Sequence, residues 1–174
     1  MKILVVGGNF AGATAALELK RKLKDTVEVT LIDRNENFVY IPSLIWVPIK
    51  RREVSEIIIP RKQVLEKKGV KFVLDTAIKV EPDENKVYCE NGTYEYDHLI
   101  IATGPKVNFD IAPGIKENAC YIGTPPGAMH TREKLEEFKQ NPGSIVIGAT
   151  QNAGCMGAAY EFLFNIEKWL REQK

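Results

Sequence analysis

The sequence predicts an α/β fold: a parallel sheet with an inserted three-stranded antiparallel meander, followed by the start of a second α/β unit. Three observations predict it. An apolar run at residues 3–6 enters a glycine-rich turn and then a helical pattern over residues 11–23. Three short β runs, at 77–80, 86–90 and 93–96, are separated by the turn signals PDEN and NG. Residues 98–102 are apolar on both faces, as a buried parallel strand requires.

The first element carries the most chemistry. Gly7 permits a tight exit from the opening strand, and Gly12 lets the following helix approach the sheet. A helix start offers free N–H groups and a partial positive charge to a pyrophosphate. A second β run at 27–32 ends on Asp33, which lies 21 positions after Gly12. Its carboxylate suits a ribose hydroxyl and repels a 2′-phosphate. Asn9 stands where GxGxxG has its second glycine, and asparagine tolerates left-handed backbone better than most residues. Strand, turn, helix, second strand and acid together form a Rossmann-like βαβ unit for an ADP-containing cofactor.

The remaining elements follow in order. Residues 34–49 read as a long loop. Residues 50–68 are charged with helical spacing, and Lys50, Arg51 and Arg52 read as a solvated face. A third parallel strand is expected at 70–74, before the meander. The apolar strand at 98–102 runs into the tetrapeptide ATGP at 102–105. Prolines at 113, 125 and 126 mark a connection. A helix is expected at 131–140, a buried strand at 144–147 and a last helix at 157–171, with Phe162, Leu163, Ile166, Trp169 and Leu170 at helical spacing and the aromatics among them reading as core.

Composition narrows the classes. A net charge of +1 argues against a general nucleic-acid or membrane-surface electrostatic role. No apolar run approaches the about 20 residues of a membrane span, and Lys2 leads straight into a strand rather than a signal peptide. Three cysteines, Cys89, Cys120 and Cys155, form an odd set that suits reduced or catalytic thiols inside a cell.

This order of elements resembles the two-dinucleotide-domain flavoproteins, which include glutathione reductase-like enzymes and type II NADH dehydrogenases. Within them, IPSLIWV (41–47) and IVIGATQNAGCMGAAYEF (145–162) resemble segments of the sulfide:quinone oxidoreductases and flavocytochrome c sulfide dehydrogenases. The resemblance implies FAD as cofactor. It places Gly7, Asn9, Gly12, Asp33, Arg34, Ser43, Ala77, Ile78, Ala102, Thr103 and Gly104 on FAD-binding positions. It implies sulfide and quinone as substrates, with Cys155 as a redox cysteine and Glu161 as a proton carrier. It also implies a cytoplasmic enzyme peripheral to the membrane, touching it through a C-terminal part beyond Lys174.

The residues support part of this independently. The strand expected at 144–147 runs to Gly148, and the next glycine is Gly154, so the second α/β unit has no pyrophosphate turn. Cys155 stands there, just ahead of the last helix, where a thiolate is favoured. That arrangement suits a reductant smaller than NADH. Cys120 and Cys89 read as structural. The expected organisation is an FAD-binding domain at 1–110, incomplete without a C-terminal part, and a connection with the first strand and helix of a second domain at 111–174. On this reading the chain is an N-terminal portion, inactive by itself. Two alternatives stay open: an NADH:quinone or disulfide reductase fragment, and a non-catalytic FAD-binding electron-transfer subunit.

Overall fold

The computed structural model describes residues 1–151 and 153–173. The elements run β1 (Lys2–Val6), α1 (Phe10–Leu23), β2 (Glu28–Asp33), β3 (Asn37–Val39), β4 (Ile58–Pro60), α2 (Arg61–Glu66), β5 (Lys71–Leu74), β6 (Ala77–Glu81), β7 (Lys86–Cys89), β8 (Thr93–Glu95), β9 (His98–Ile101), α3 (Ile115–Asn118), α4 (Pro125–Gln140) and α5 (Gly157–Glu172). They divide into two units. One holds residues 1–39 and 59–106, and the other holds 40–58 and the residues from 107 onward.

The first unit is built on a parallel sheet of order β5-β2-β1-β9. β1 is central because both its faces are apolar. Ile3 and Val5 join one core cluster with Val29, Leu31 and Phe72 from the sheet, Ala16 from α1 and Leu65 from α2. Leu4 and Val6 point the other way, into a cluster with Ile32, Val87, Cys89 and Tyr96. Helices therefore cover one face of the sheet and the meander covers the other. The meander pairs antiparallel in the order β6-β7-β8, with Val80 opposite Val87 and Val87 opposite Tyr94.

Two carboxylates tie the meander to the sheet. Buried Asp75, just past β5, accepts hydrogen bonds from Thr76 N (2.8 Å) and Asn91 Nδ2 (3.0 Å). Asp97 accepts one from Lys2 N at 2.6 Å. Cys89 is buried beside this anchor. Burial first, and the Asp75 charge second, push its thiol up to about 11.

Residues 50–68 do not form the single helix that their spacing suggests. Glu53 and Glu56 close a capping box around a 3₁₀ turn at Val54–Glu56. Pro60 then holds the chain extended before α2 begins at Arg61. β3 and β4 pair as a two-stranded ribbon.

The second unit has its own core, in which Ile45 and Ile49 meet Leu135, Phe162, Ile166 and Trp169. These contacts group residues 40–58 with the later part of the chain, although in sequence they lie within 1–110. Arg132 reinforces the grouping by donating from Nε to Val47 O (2.8 Å) and from Nη2 to Arg52 O (2.9 Å). α4 starts six residues earlier than its periodicity indicates. Thr124 accepts from Gly127 N at 3.2 Å, and Pro125 and Pro126 occupy first-turn positions that need no N–H donor. The strand expected at 144–147 is absent: Val146 is 94% exposed. No strand of the described residues lies alongside to pair with it, so its backbone stays with solvent.

Truncation of Leu31, fully buried between β1 and β5, to alanine is expected to cost about 3 kcal/mol in urea unfolding. Stability is also expected to fall as pH rises from 9.0 toward about 11, because native Cys89 keeps a proton that the unfolded thiol releases. Denaturation midpoints measured across that window should fall less in Cys89→Ala.

Candidate functional site

The carboxyl ends of β1, β2 and β9 meet at one edge of the first unit's sheet. β1 lies between strands reached in opposite directions, which is where open α/β sheets bind ligands. Gly7 follows β1 with φ +94°, and its N–H donates to Ile32 O at 2.8 Å. A Cβ here would lie 2.4 Å from Ala102 O and 2.8 Å from Thr103 Cα, so the ATG turn closes directly over the glycine. A Cβ on Gly12 would lie 1.7 Å from Gly7 O. That contact fixes how closely α1 sits on the turn. Ala102 N donates to Val6 O at 2.7 Å, which carries the pairing of β1 and β9 one residue further. Gly104 has φ +72° with open space around it.

Asn9 initiates α1 through its backbone, accepting from Ala13 N at 2.9 Å, but its side chain makes no cap hydrogen bond. Its Oδ1 is buried without a hydrogen-bond partner. An uncapped helix start, an unspent buried acceptor and a glycine cradle fit the pyrophosphate and hydroxyl groups of a dinucleotide.

Asp33 is committed on several sides. Oδ2 accepts from Gly8 N at 2.6 Å and faces Arg61 Nη1 at 3.1 Å, while Oδ1 accepts from Asn35 N at 2.7 Å. An ionised carboxyl has about four acceptor positions, so one on Oδ1 remains for a ribose hydroxyl. Arg61 is 4% exposed. It donates from Nη1 to Asn35 O (2.7 Å) and from Nη2 to Asn37 O (2.9 Å), and it lies over the Phe72 ring at 5.7 Å. Arg61 carries no sequence signal of this placement, because beside Lys62 in a charged segment it resembles a solvated cation. Pro60 before it was the only local sign of a break.

The other expected cofactor positions of this unit fall nearby in sequence or on the meander. Arg34 and Thr103 are exposed. Ala77 pairs with Cys89, and the register shifts between Ala77 and Lys79, so Ile78 bulges outward and is 67% exposed. An apolar side chain presented this way suits the flat face of a ring.

Ser43, Cys155 and Glu161 belong to the second unit. Ser43 is half-buried in the 3₁₀ turn Ile41–Trp46. Cys155 is an exposed free thiol two residues ahead of α5, and Glu161 is exposed on that helix. Cys120, read as structural, is instead exposed, on an open cavity of about 410 Å³ with Tyr121, His130 and Lys134. Cys89 is buried, as its strand position suggested.

Residues 1–158 match the family model of the pyridine nucleotide-disulphide oxidoreductases. The chain is 35% identical over 172 residues to the sulfide-quinone reductase of Aquifex aeolicus, an alignment that spans 98% of this chain and 40% of that protein. It is 30% identical over 179 residues to the mitochondrial sulfide:quinone oxidoreductase of Dictyostelium discoideum, spanning 98% and 39%. The crystal structure of the Aquifex aeolicus sulfide:quinone oxidoreductase superposes with a TM-score of 0.93 over 99% of this chain and 40% of that one. The chain thus spans about two fifths of the length of these relatives.

Gly12→Ala is expected to lose at least about 2 kcal/mol in chemical denaturation, because its Cβ cannot coexist with Gly7 O and α1 must move away.

Proposed function

We propose that this chain, which belongs to the pyridine nucleotide-disulphide oxidoreductase family, carries the FAD-binding part of an enzyme that oxidises sulfide and reduces a quinone. One observation carries the reading. The first α/β unit has a pyrophosphate turn, whereas the residues ahead of α5 have a thiol, Cys155, where a nicotinamide-using enzyme needs a second glycine-rich turn. The likeness to sulfide:quinone oxidoreductases over nearly the whole chain supports it. Since the chain spans 40% of such a relative, the activity is proposed for the longer enzyme.

When bound, FAD supplies a two-electron acceptor. Gly7 and Gly12 bring backbone close to the pyrophosphate, and the start of α1 offers it N–H groups. The open position on Asp33 Oδ1 takes a ribose hydroxyl. Ala77 and Ile78 would flank the adenine, and Arg34, Ala102, Thr103 and Gly104 of the same unit would complete the cradle.

Cys155 does the sulfur chemistry. Hydrosulfide attacks a disulfide between Cys155 and a second cysteine of the longer enzyme. A sulfur–sulfur bond forms to the incoming atom as the old one breaks, leaving one cysteine as a persulfide and the other as a thiolate. Cys155 lies two residues ahead of α5, and Glu161 on that helix takes up the released proton. We place the enzyme on the cytoplasmic side of the membrane as a peripheral protein. No helix among the described residues is long and apolar enough to cross a membrane.

Sulfide, and not NADH, is expected to bleach the flavin absorbance of the full-length holoenzyme under anaerobic conditions. Cys155→Ser should lose at least about a hundredfold in bleaching rate while retaining FAD, measured by flavin content. Bleaching by NADH with no response to sulfide would refute the proposal in favour of an NADH:quinone reductase.

A further inference from the structure

The turn that is to hold a pyrophosphate has a carboxylate hydrogen-bonded to it. Asp33 Oδ2 lies 2.6 Å from Gly8 N, inside the segment between Gly7 and Gly12. An acid bonded to the turn opposes a dianion held on the same turn, because charges at ordinary ionic strength still act over roughly 10 Å. We propose that Arg61 is the positioning residue that compensates this charge, so that a carboxylate for the ribose and a site for the pyrophosphate share one turn. The inference rests on the dinucleotide reading above.

The local structure is shaped around that guanidinium. Gly8 is the unassigned position of the motif, yet a Cβ on it would lie 3.1 Å from both Cζ and Nε of Arg61 and 2.6 Å from Leu31 Cδ2. The missing side chain therefore admits the cation beneath the turn. The fork is spent on Asp33 Oδ2 and on the carbonyls of Asn35 and Asn37, which fixes the loop leaving β2. Nε is buried with no hydrogen-bond partner. The Phe72 ring seats the opposite face. Lysine, a point charge, reproduces the compensation but not the fork.

The test compares ADP with adenosine by NMR titration of the purified chain. The readout is the ratio of their dissociation constants. Arg61→Met is expected to lower the preference for ADP about tenfold, and raising salt from about 0.05 to 0.5 M should recover part of the loss. Arg61→Lys should keep the preference within about threefold of wild type. Asp33→Asn leaves the cation uncompensated and should raise the preference several-fold. It also serves as the test if Arg61→Met does not fold. Equal weakening of ADP and adenosine in Arg61→Met, or an unchanged ratio in Asp33→Asn, would overturn the inference and leave the dinucleotide reading standing. Failure of the wild-type chain to bind ADP at millimolar concentration would overturn both.

Discussion

A helix can lie on the end of a parallel strand only as closely as the side chains between them allow. In the first unit that limit has been removed at two positions. The Cβ sites of Gly7 and Gly12 are filled by the backbone of Ala102 and by Gly7 O. The approach of α1 brings its amide ends to the carboxyl edge of β1, while Ala16, four residues after Gly12, meets Val5 and Val29 in the core. The face of the sheet covered by α1, the stacking of the ATG turn over Gly7 and the geometry of the glycine turn all depend on that contact. Core packing and turn geometry are one constraint in this unit, since a residue that widened the turn would also loosen the cluster around Leu31.

Much of the first unit was legible in the sequence for a physical reason. The apolar runs of β1 and β2 and the turn signals of the meander are local patterns, and each corresponds to a buried face or a turn in the structure, whereas the run at 98–101, expected to be buried on both faces, forms the half-exposed edge strand β9, with Ile101 63% exposed. What could not be read depended on partners distant in sequence. The ring of contacts around Asp33 includes Arg61, 28 positions away, which resembles its solvated neighbours until the sheet brings it under the turn. The segment at 144–147 has the composition of a strand, but pairing is a property of two segments, and no second one lies beside it among the described residues. The early start of α4 is the opposite case. Thr124 and the two prolines are local start signals, and they outrank the later periodicity.

The second unit has a different balance. Its core is made by helix faces and a 3₁₀ turn, with Trp169 and Phe162 as the large contributors. Arg132 ties α4 to the carbonyls of the 47–52 segment. Opposite the buried face of α5, Tyr160 and Phe164 are 60% and 67% exposed. Cys155 stands just ahead of that helix. The thiol is therefore exposed ahead of a helix whose buried anchors, Phe162, Ile166 and Trp169, begin a turn and a half further on.

The topology of the sheet also has a consequence during synthesis. β1 precedes the other strands of this sheet in the chain, and the partner of one of its edges, β2, follows at residues 28–33. Its other edge belongs to β9, in the register Ile3 to His98. At the about 5–20 residues per second of translation, that edge of an almost wholly apolar strand stays unpaired for several seconds on the ribosome. A nascent chain with this connectivity carries an open apolar strand edge until β9 arrives.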